Sequence, residues 1–267
     1  MENAPAEICE DTLDIQTLLN LGPMAPVSNT HAIYAGLRRD HPVYETTLAA
    51  DLNSPDGNRS FLITRYADVK GVLRDDKQYS SDINQRTMGV VMGPTLVGMD
   101  GREHLKHRTL ITPSMTPRAL KGDSFRDVVR KTAEATIDSF IKDGAADLHH
   151  DFCFKYPLAV FVSLLGLPSD HLDRVHRWGI DLCLVAFDPA KGISAAEKLL
   201  DYLTPIVQAK RNEPGSDMIS MLIAAEIDGE KLSDFEVVSF LRLLVLAGAE
   251  TTNHLLGTAC YVLLHNQ

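Results

Sequence analysis

The chain has 267 residues, of which 45% are hydrophobic and 23% charged, an ordinary globular composition that suits one large domain or two small ones. A net charge of −10 and a pI near 5.4 argue against a general nucleic-acid binder, which carries a basic footprint. Met1 to Asn20 holds no basic segment followed by an apolar one, and no run reaches the ~20 apolar residues of a membrane span, so a cytoplasmic chain with neither a membrane nor a nucleic-acid partner is expected.

In chain order, a proline-dotted arm over residues 1–28 precedes a domain that occupies 29–267. Thr30 to Asp40 reads as a short helix ending before His41-Pro42. Val43–Leu48 and Ser60–Thr64 read as a hairpin, with turn chemistry from Pro55-Asp56-Gly57. Ala67 to Arg74 reads as a helix with Val69, Val72 and Leu73 on one face. Thr116-Pro117 opens a helical stretch whose apolar positions run from Phe125 to Ile141, with Gly144 beyond the last of them. Ala145–His149 reads as a short strand and Asp151–Leu165 as a buried helix. Ser169 and Ser194 each open a further helix, the second through a Ser194/Glu197 capping box, with Pro189 and Gly192 in the loop between. Ile227-Asp228-Gly229-Glu230 reads as a tight turn. Ser233 and Glu236 form another capping box, after which an apolar helix over 234–264 would run roughly 45 Å as the spine of the protein. The fold class is mainly α with a small β component.

Cys9, Cys153, Cys183 and Cys260 are scattered and form no CxxC pair, so buried free thiols in a reducing compartment are expected and no metal site.

Two constellations could carry chemistry. Inside the spine, Ala247-Gly248-Ala249-Glu250-Thr251-Thr252 gathers a poor helix former, two β-branched residues and a buried acid, costs that often mark a functional place. The plain alternative is a small-residue crossing point with the Thr251 hydroxyl bonded back to the Ala247 carbonyl. Upstream, Asp100-Gly101-Arg102-Glu103-His104 leads to Arg108, and His104 and Arg108 share one helix face four residues apart. Such a pair suits an anionic carboxylate, though a solvated basic face would look the same.

Together and in order, these elements resemble the cytochrome P-450 family of soluble bacterial heme-thiolate monooxygenases. Ala-Gly-x-Glu-Thr-Thr resembles its oxygen-activating motif, and D-x-x-E-H-x-x-x-R its heme-propionate helix, here about 101–111. Phe61–Val69, Tyr79-Ser80-Ser81, Thr116–Leu120, Gly166-Leu167-Pro168 and Asp217–Leu222 match further family segments, so the resemblance spans about Ile33 to Leu264. It implies a cytochrome P-450 fold that hydroxylates a hydrophobic small molecule with dioxygen. The cofactor would be heme b (iron protoporphyrin IX), with electrons from NAD(P)H through a ferredoxin- or flavodoxin-like donor. His104 and Arg108 would bind the propionates, Ala247 and Gly248 would lie over the heme, and Thr251 and Glu250 would deliver protons. Met88, Val91, Leu96, Leu243 and Leu246 would line the substrate pocket, or equally belong to the core. The donor would dock on the basic region of Arg102, Lys106, His107, Arg118, Lys121, Arg126 and Arg130.

The sequence departs from the family at Gly101, Arg102 and Met115. More seriously, it carries no Glu-x-x-Arg element and no glycine-rich cysteine loop, so the axial cysteine is absent and the iron has no ligand in this chain. An incomplete fold, a fragment inactive by itself, is therefore expected. The alternatives are a non-catalytic helical module that binds a small molecule, or a truncated gene product.

Overall fold

The computed structural model describes residues 30–47, 59–168, 171–186 and 188–266. The N-terminal arm, the Pro55-Asp56-Gly57 turn, Ser169, Cys9 and the side chains of Cys183 and Glu250 lie outside the described residues.

Helix α1 (Thr30–Asp40) leads into the antiparallel pair β1 (Val43–Thr47) and β2 (Arg59–Ile63), in which Val43 faces Ile63 and Thr47 faces Arg59. Helix α2 (Tyr66–Val72) follows; Leu73 lies past its end and is 81% exposed, so it belongs to no core face. The segment expected as a pocket loop folds into two short helices, α3 (Asp82–Arg86) and α4 (Gly89–Met92), and a 3-10 turn at Leu96–Gly98. Helix α5 (Gly101–Ile111) starts behind Asp100.

The helix expected from Thr116 onward is two. Thr116 caps α6 (Pro117–Leu120), accepting from the Ala119 amide at 3.2 Å, and the chain then turns extended at Gly122 before α7 (Asp123–Asp138). The strand expected at Ala145–His149 does not form. The Asp147 side chain accepts from the amides of His149 at 2.9 Å and His150 at 3.2 Å, while the Asp147 amide donates to Asp151 at 3.0 Å. This reciprocal capping starts a helix where a strand pattern stood. A π turn (His149–Cys153) then gives way to α8 (Lys155–Leu165), which ends at left-handed Gly166.

Helix α9 (Leu172–Cys183) precedes α10 (Pro189–Asn212), where the sequence reading needs another correction. Asp188 caps α10 through the Lys191 amide at 3.1 Å with Pro189 in the first turn, so Ser194 is interior and its capping box with Glu197 does not exist. Proline fits the first turn because its missing N–H would be unpaired there anyway. Gly192 is likewise helical, not a loop residue. A side chain there would meet Val185 at 2.5 Å, and the glycine lets the chain return closely on itself.

Helix α11 (Met218–Ala224) leads to β3 (Glu226–Ile227) and β4 (Glu230–Lys231), joined through Asp228 at φ 54° and Gly229 at φ 88°. Positive φ at both central residues is the type I′ hairpin. Helix α12 (Asp234–His265) begins at Ser233 with its capping box, Ser233 Oγ accepting from the Glu236 amide and Glu236 accepting from the Ser233 amide at 2.8 Å.

The core lies where α8, α9, α10 and α11 pack around the first half of α12, through Leu158, Leu199, Leu203, Leu222 and Leu241. Past Leu246 the helix changes character, and Leu255, Tyr261, Val262, Leu263 and Leu264 stand exposed. Among the described residues no helix is long and apolar enough to cross a membrane.

Candidate functional site

Helix α5 has two opposed faces. Lys106 pairs with Asp228 in the β3–β4 turn, and Arg102, Leu105 and Thr109 share with that turn a cleft of about 320 Å³. Lys106, together with the hydrogen-bond geometry, holds the Asp228 carboxyl below the ordinary carboxylate range. His104 and Arg108 lie on the other side of the helix. His104 is half-buried and Arg108 exposed, and Arg108 makes no side-chain ion pair among the described residues.

The start of α5 is fixed from outside. Asp100 does not cap its own helix with its side chain. It accepts the Ser80 hydroxyl at 2.5 Å and the Ser81 amide at 3.0 Å, bonds that hold its carboxyl below its usual range. The Tyr79-Ser80-Ser81 segment thus positions α5, a role that sequence spacing did not state.

On α12 the Thr251 hydroxyl donates to the Ala247 carbonyl at 3.0 Å and Thr252 to Gly248 at 3.3 Å, the back-bonding anticipated as the plain alternative. Both threonines and Ala247 are nevertheless exposed, so this stretch of the helix presents a small, polar-edged surface. Gly248 has a packing reason of its own: a β-carbon there would sit 2.7 Å from the Phe161 ring of α8. Gly248→Ala is therefore expected to lower stability by up to about 2 kcal/mol, because overpacking of about 1–3 kcal/mol opposes the roughly 1 kcal/mol gain in helix propensity. Thermal denaturation checks this, and Phe161→Leu should recover most of the loss; a rise in Tm would show that the helices can part at no cost.

Met88, Val91, Leu96 and Leu246 are partly buried against the core, and Leu243 is buried within it. Two features here were missed from sequence. Arg242, the single charge between Glu236 and Glu250, is buried, and its position in an apolar run was the available signal. Cys153 and Cys260 bring their sulfurs to 3.8 Å across the π turn and α12, a pairing with no signal in their spacing. Burial, then the neighbouring Cys260 thiol, pushes Cys153 up to about 11, so it is a protonated thiol at neutral pH. Among the described residues no cluster of three or more His, Cys, Asp and Glu side chains is placed to hold a metal ion.

No family model matches the chain. Among curated proteins it is 33% identical over 244 residues to the vitamin D(3) 25-hydroxylase of Pseudonocardia autotrophica, covering 88% of this chain and 58% of that protein. Among solved structures it matches the bacillaene polyketide synthase cytochrome P450 PksS of Bacillus subtilis 168, with a TM-score of 0.75 and 26% identity over 89% of this chain and 60% of that one. CYP109E1 of Bacillus megaterium, solved in complex with testosterone, gives a TM-score of 0.76 with 26% identity, covering 89% and 61%. The mainly helical fold is thus a cytochrome P450 fold over part of its length. The chain belongs to the cytochrome P450 family, and it spans less than two thirds of the length of the relatives it matches.

Proposed function

We propose that this chain supplies the oxygen-activating and propionate-binding portion of a heme-thiolate monooxygenase acting on a hydrophobic small molecule. The observation that carries it is the presence of two surfaces on the chain, a nitrogen-donor one on α5 and a small-residue one on α12. His104, which interacts with the Asp100 carboxylate, and Arg108, which has no side-chain ion pair among the described residues, share one side of α5, and a small-residue, hydroxyl-bearing stretch is exposed on α12. Heme b fits this set, since its carboxylates need cations and its face needs small neighbours. When bound, it would supply the activation of dioxygen for insertion of one oxygen atom.

The chain's own residues then have these roles. Arg108 and His104, one turn apart on α5, would hold the propionates through charge-assisted N–H donors. Ala247 and Gly248 keep that part of α12 low. Thr251 gives up its bond to the Ala247 carbonyl to hold a proton-carrying water, and Glu250 feeds protons to it. Met88, Val91, Leu96, Leu243 and Leu246 border the substrate, with relatives named for vitamin D(3) and solved with testosterone agreeing with a hydrophobic ligand. The domain reading over 29–267 is retained as one unit with this role. The axial thiolate comes from neither Cys153 nor Cys260, whose sulfurs face each other across the π turn and α12. Electrons arrive from NAD(P)H through a ferredoxin- or flavodoxin-like donor on the basic face, in the cytoplasm; steering by Arg102, Lys121 and Arg126 makes that docking salt-sensitive.

Titration of the chain with hemin, followed by absorbance, tests the site. The double variant His104→Ala, Arg108→Ala is expected to bind about 10- to 100-fold more weakly, the loss of one or two charge-assisted hydrogen bonds. Unchanged affinity would remove the propionate role from both residues.

A further inference from the structure

Arg242 sits in the buried half of α12 and is 3% exposed. Its Nη1 donates to the Val91 carbonyl of α4 at 2.9 Å, and its Nε is buried with no hydrogen-bond partner. A guanidinium carries five N–H donors and cannot discard its charge. Among the described residues no carboxylate is hydrogen-bonded or ion-paired to it, and burial pulls against the charged form. Taking such a cation out of water costs several kcal/mol, so an unpaired one is a strong expense in a core otherwise built of Leu, Val and Ile. A bond to one peptide carbonyl offsets only a small part of it.

Its location says what would complete it. At 100° per residue, Leu246, Leu243 and Ala247 follow Arg242 round α12 at about 40°, 100° and 140°, a continuous stripe winding away from the guanidinium. Val91, whose carbonyl it holds, belongs to α4, in the Met88–Leu96 segment proposed as the other wall of the pocket. Thr251 lies about 13 Å further along the axis and about 180° round from Arg242, so the stripe winds half a turn of the helix between them.

We propose that Arg242 is the anion anchor of the substrate pocket, and that the substrate is an amphipathic carboxylic acid whose apolar body follows α12 from Arg242 towards Ala247 and Thr251. The anchor rests on the reading of α12 and the Met88–Leu96 segment as pocket walls. The unpartnered Nε–H and a neighbouring Nη N–H lie in one plane and match the two oxygens of a carboxylate, which a lysine ammonium or an amide could not match. The acid end fixes which carbon of the body reaches Thr251, so Arg242 determines specificity and touches no reacting atom.

Equilibrium dialysis of the chain against laurate and against methyl laurate, both below their aggregation concentrations, tests this. The wild-type chain is expected to hold the acid about tenfold or more tighter than the ester. Arg242→Gln should bind both equally, and Arg242→Lys should keep only a part of the preference. Lys198→Gln, a change at an exposed position of α10, should leave it intact. Equal binding of acid and ester by the wild-type chain overturns the anchor, as does a preference that survives in both Arg242 variants or is lost equally in Lys198→Gln. Should Arg242→Gln not fold, the wild-type, Arg242→Lys and Lys198→Gln chains decide by the same outcomes. Hemin titration in parallel separates the two readings. Heme uptake without an acid preference refutes the anchor alone, and an acid preference without heme uptake refutes only the cofactor assignment.

Discussion

Leu241→Ala is expected to destabilise the chain by about 2–5 kcal/mol, whereas Leu255→Ala, fourteen residues along the same helix, should change stability by less than about 0.5 kcal/mol. Leu241 is 0% exposed and packs in the core, so its truncation loses transfer free energy and leaves a cavity. Leu255 is 67% exposed, and truncation there removes little from contact. Helix propensity cannot produce the difference, since both changes put alanine for leucine in a helix interior. Chemical denaturation of the two variants with equal m-values measures it. Equal losses at the two positions would mean that the second half of α12 is covered in solution.

Asp217→Ala should cost about 2–4 kcal/mol, the sum of a lost N-cap and a partly buried lysine left without its acid. Asp217 caps α11 through the Ser220 amide at 3.0 Å and pairs with Lys210 of α10 at 2.5 Å. Gly166, at φ 78°, ends α8 so close that a β-carbon on it would lie 2.6 Å from Asp217, and one carboxylate thereby ties three helices. Burial raises the Asp217 carboxyl, but Lys210 and the Ser220 bonds outweigh it and the net shift is downward. A depressed folded-state value means that the stabilisation is complete above the ordinary aspartate value of about 3.9 and is lost as pH falls through the folded value. Asp217→Asn keeps the cap and removes the charge, so its gap from wild type should be flat near neutrality and close only below about pH 4. A gap independent of pH would show that the cap alone matters.

What could be read from sequence was local. The capping box at Ser233, the Asp228-Gly229 turn and the helical spacing of His104 and Arg108 each involve residues within one turn, where propensity and side-chain bonds decide the outcome. Misreadings came where two local signals compete. Ser194 and Asp188-Pro189 both open helices, and the upstream pair wins because it starts the same helix earlier. Ala145–His149 has strand-like residues, but Asp147 and Asp151 satisfy each other's backbone first. Lys121-Gly122 breaks a helix whose apolar spacing continues across the break. Tertiary facts had no sequence signal of this kind: Phe161 against Gly248, Cys153 against Cys260 and Val91 under Arg242 are contacts between distant segments. Their positions follow from packing, which no spacing states.

The Lys106–Asp228 bridge fastens α5 to a two-residue turn, and β4 runs from that turn into the capped origin of α12. Arg211 clasps the same junction, donating to the Leu232 carbonyl at 2.5 Å and pairing with Asp234. The tiny hairpin therefore works as a strut whose length sets how far apart α5 and α12 begin. Inserting one residue beside Gly229 would lengthen the strut without altering any side chain of either helix, and so would change the distance between the two helix starts while leaving their side chains untouched.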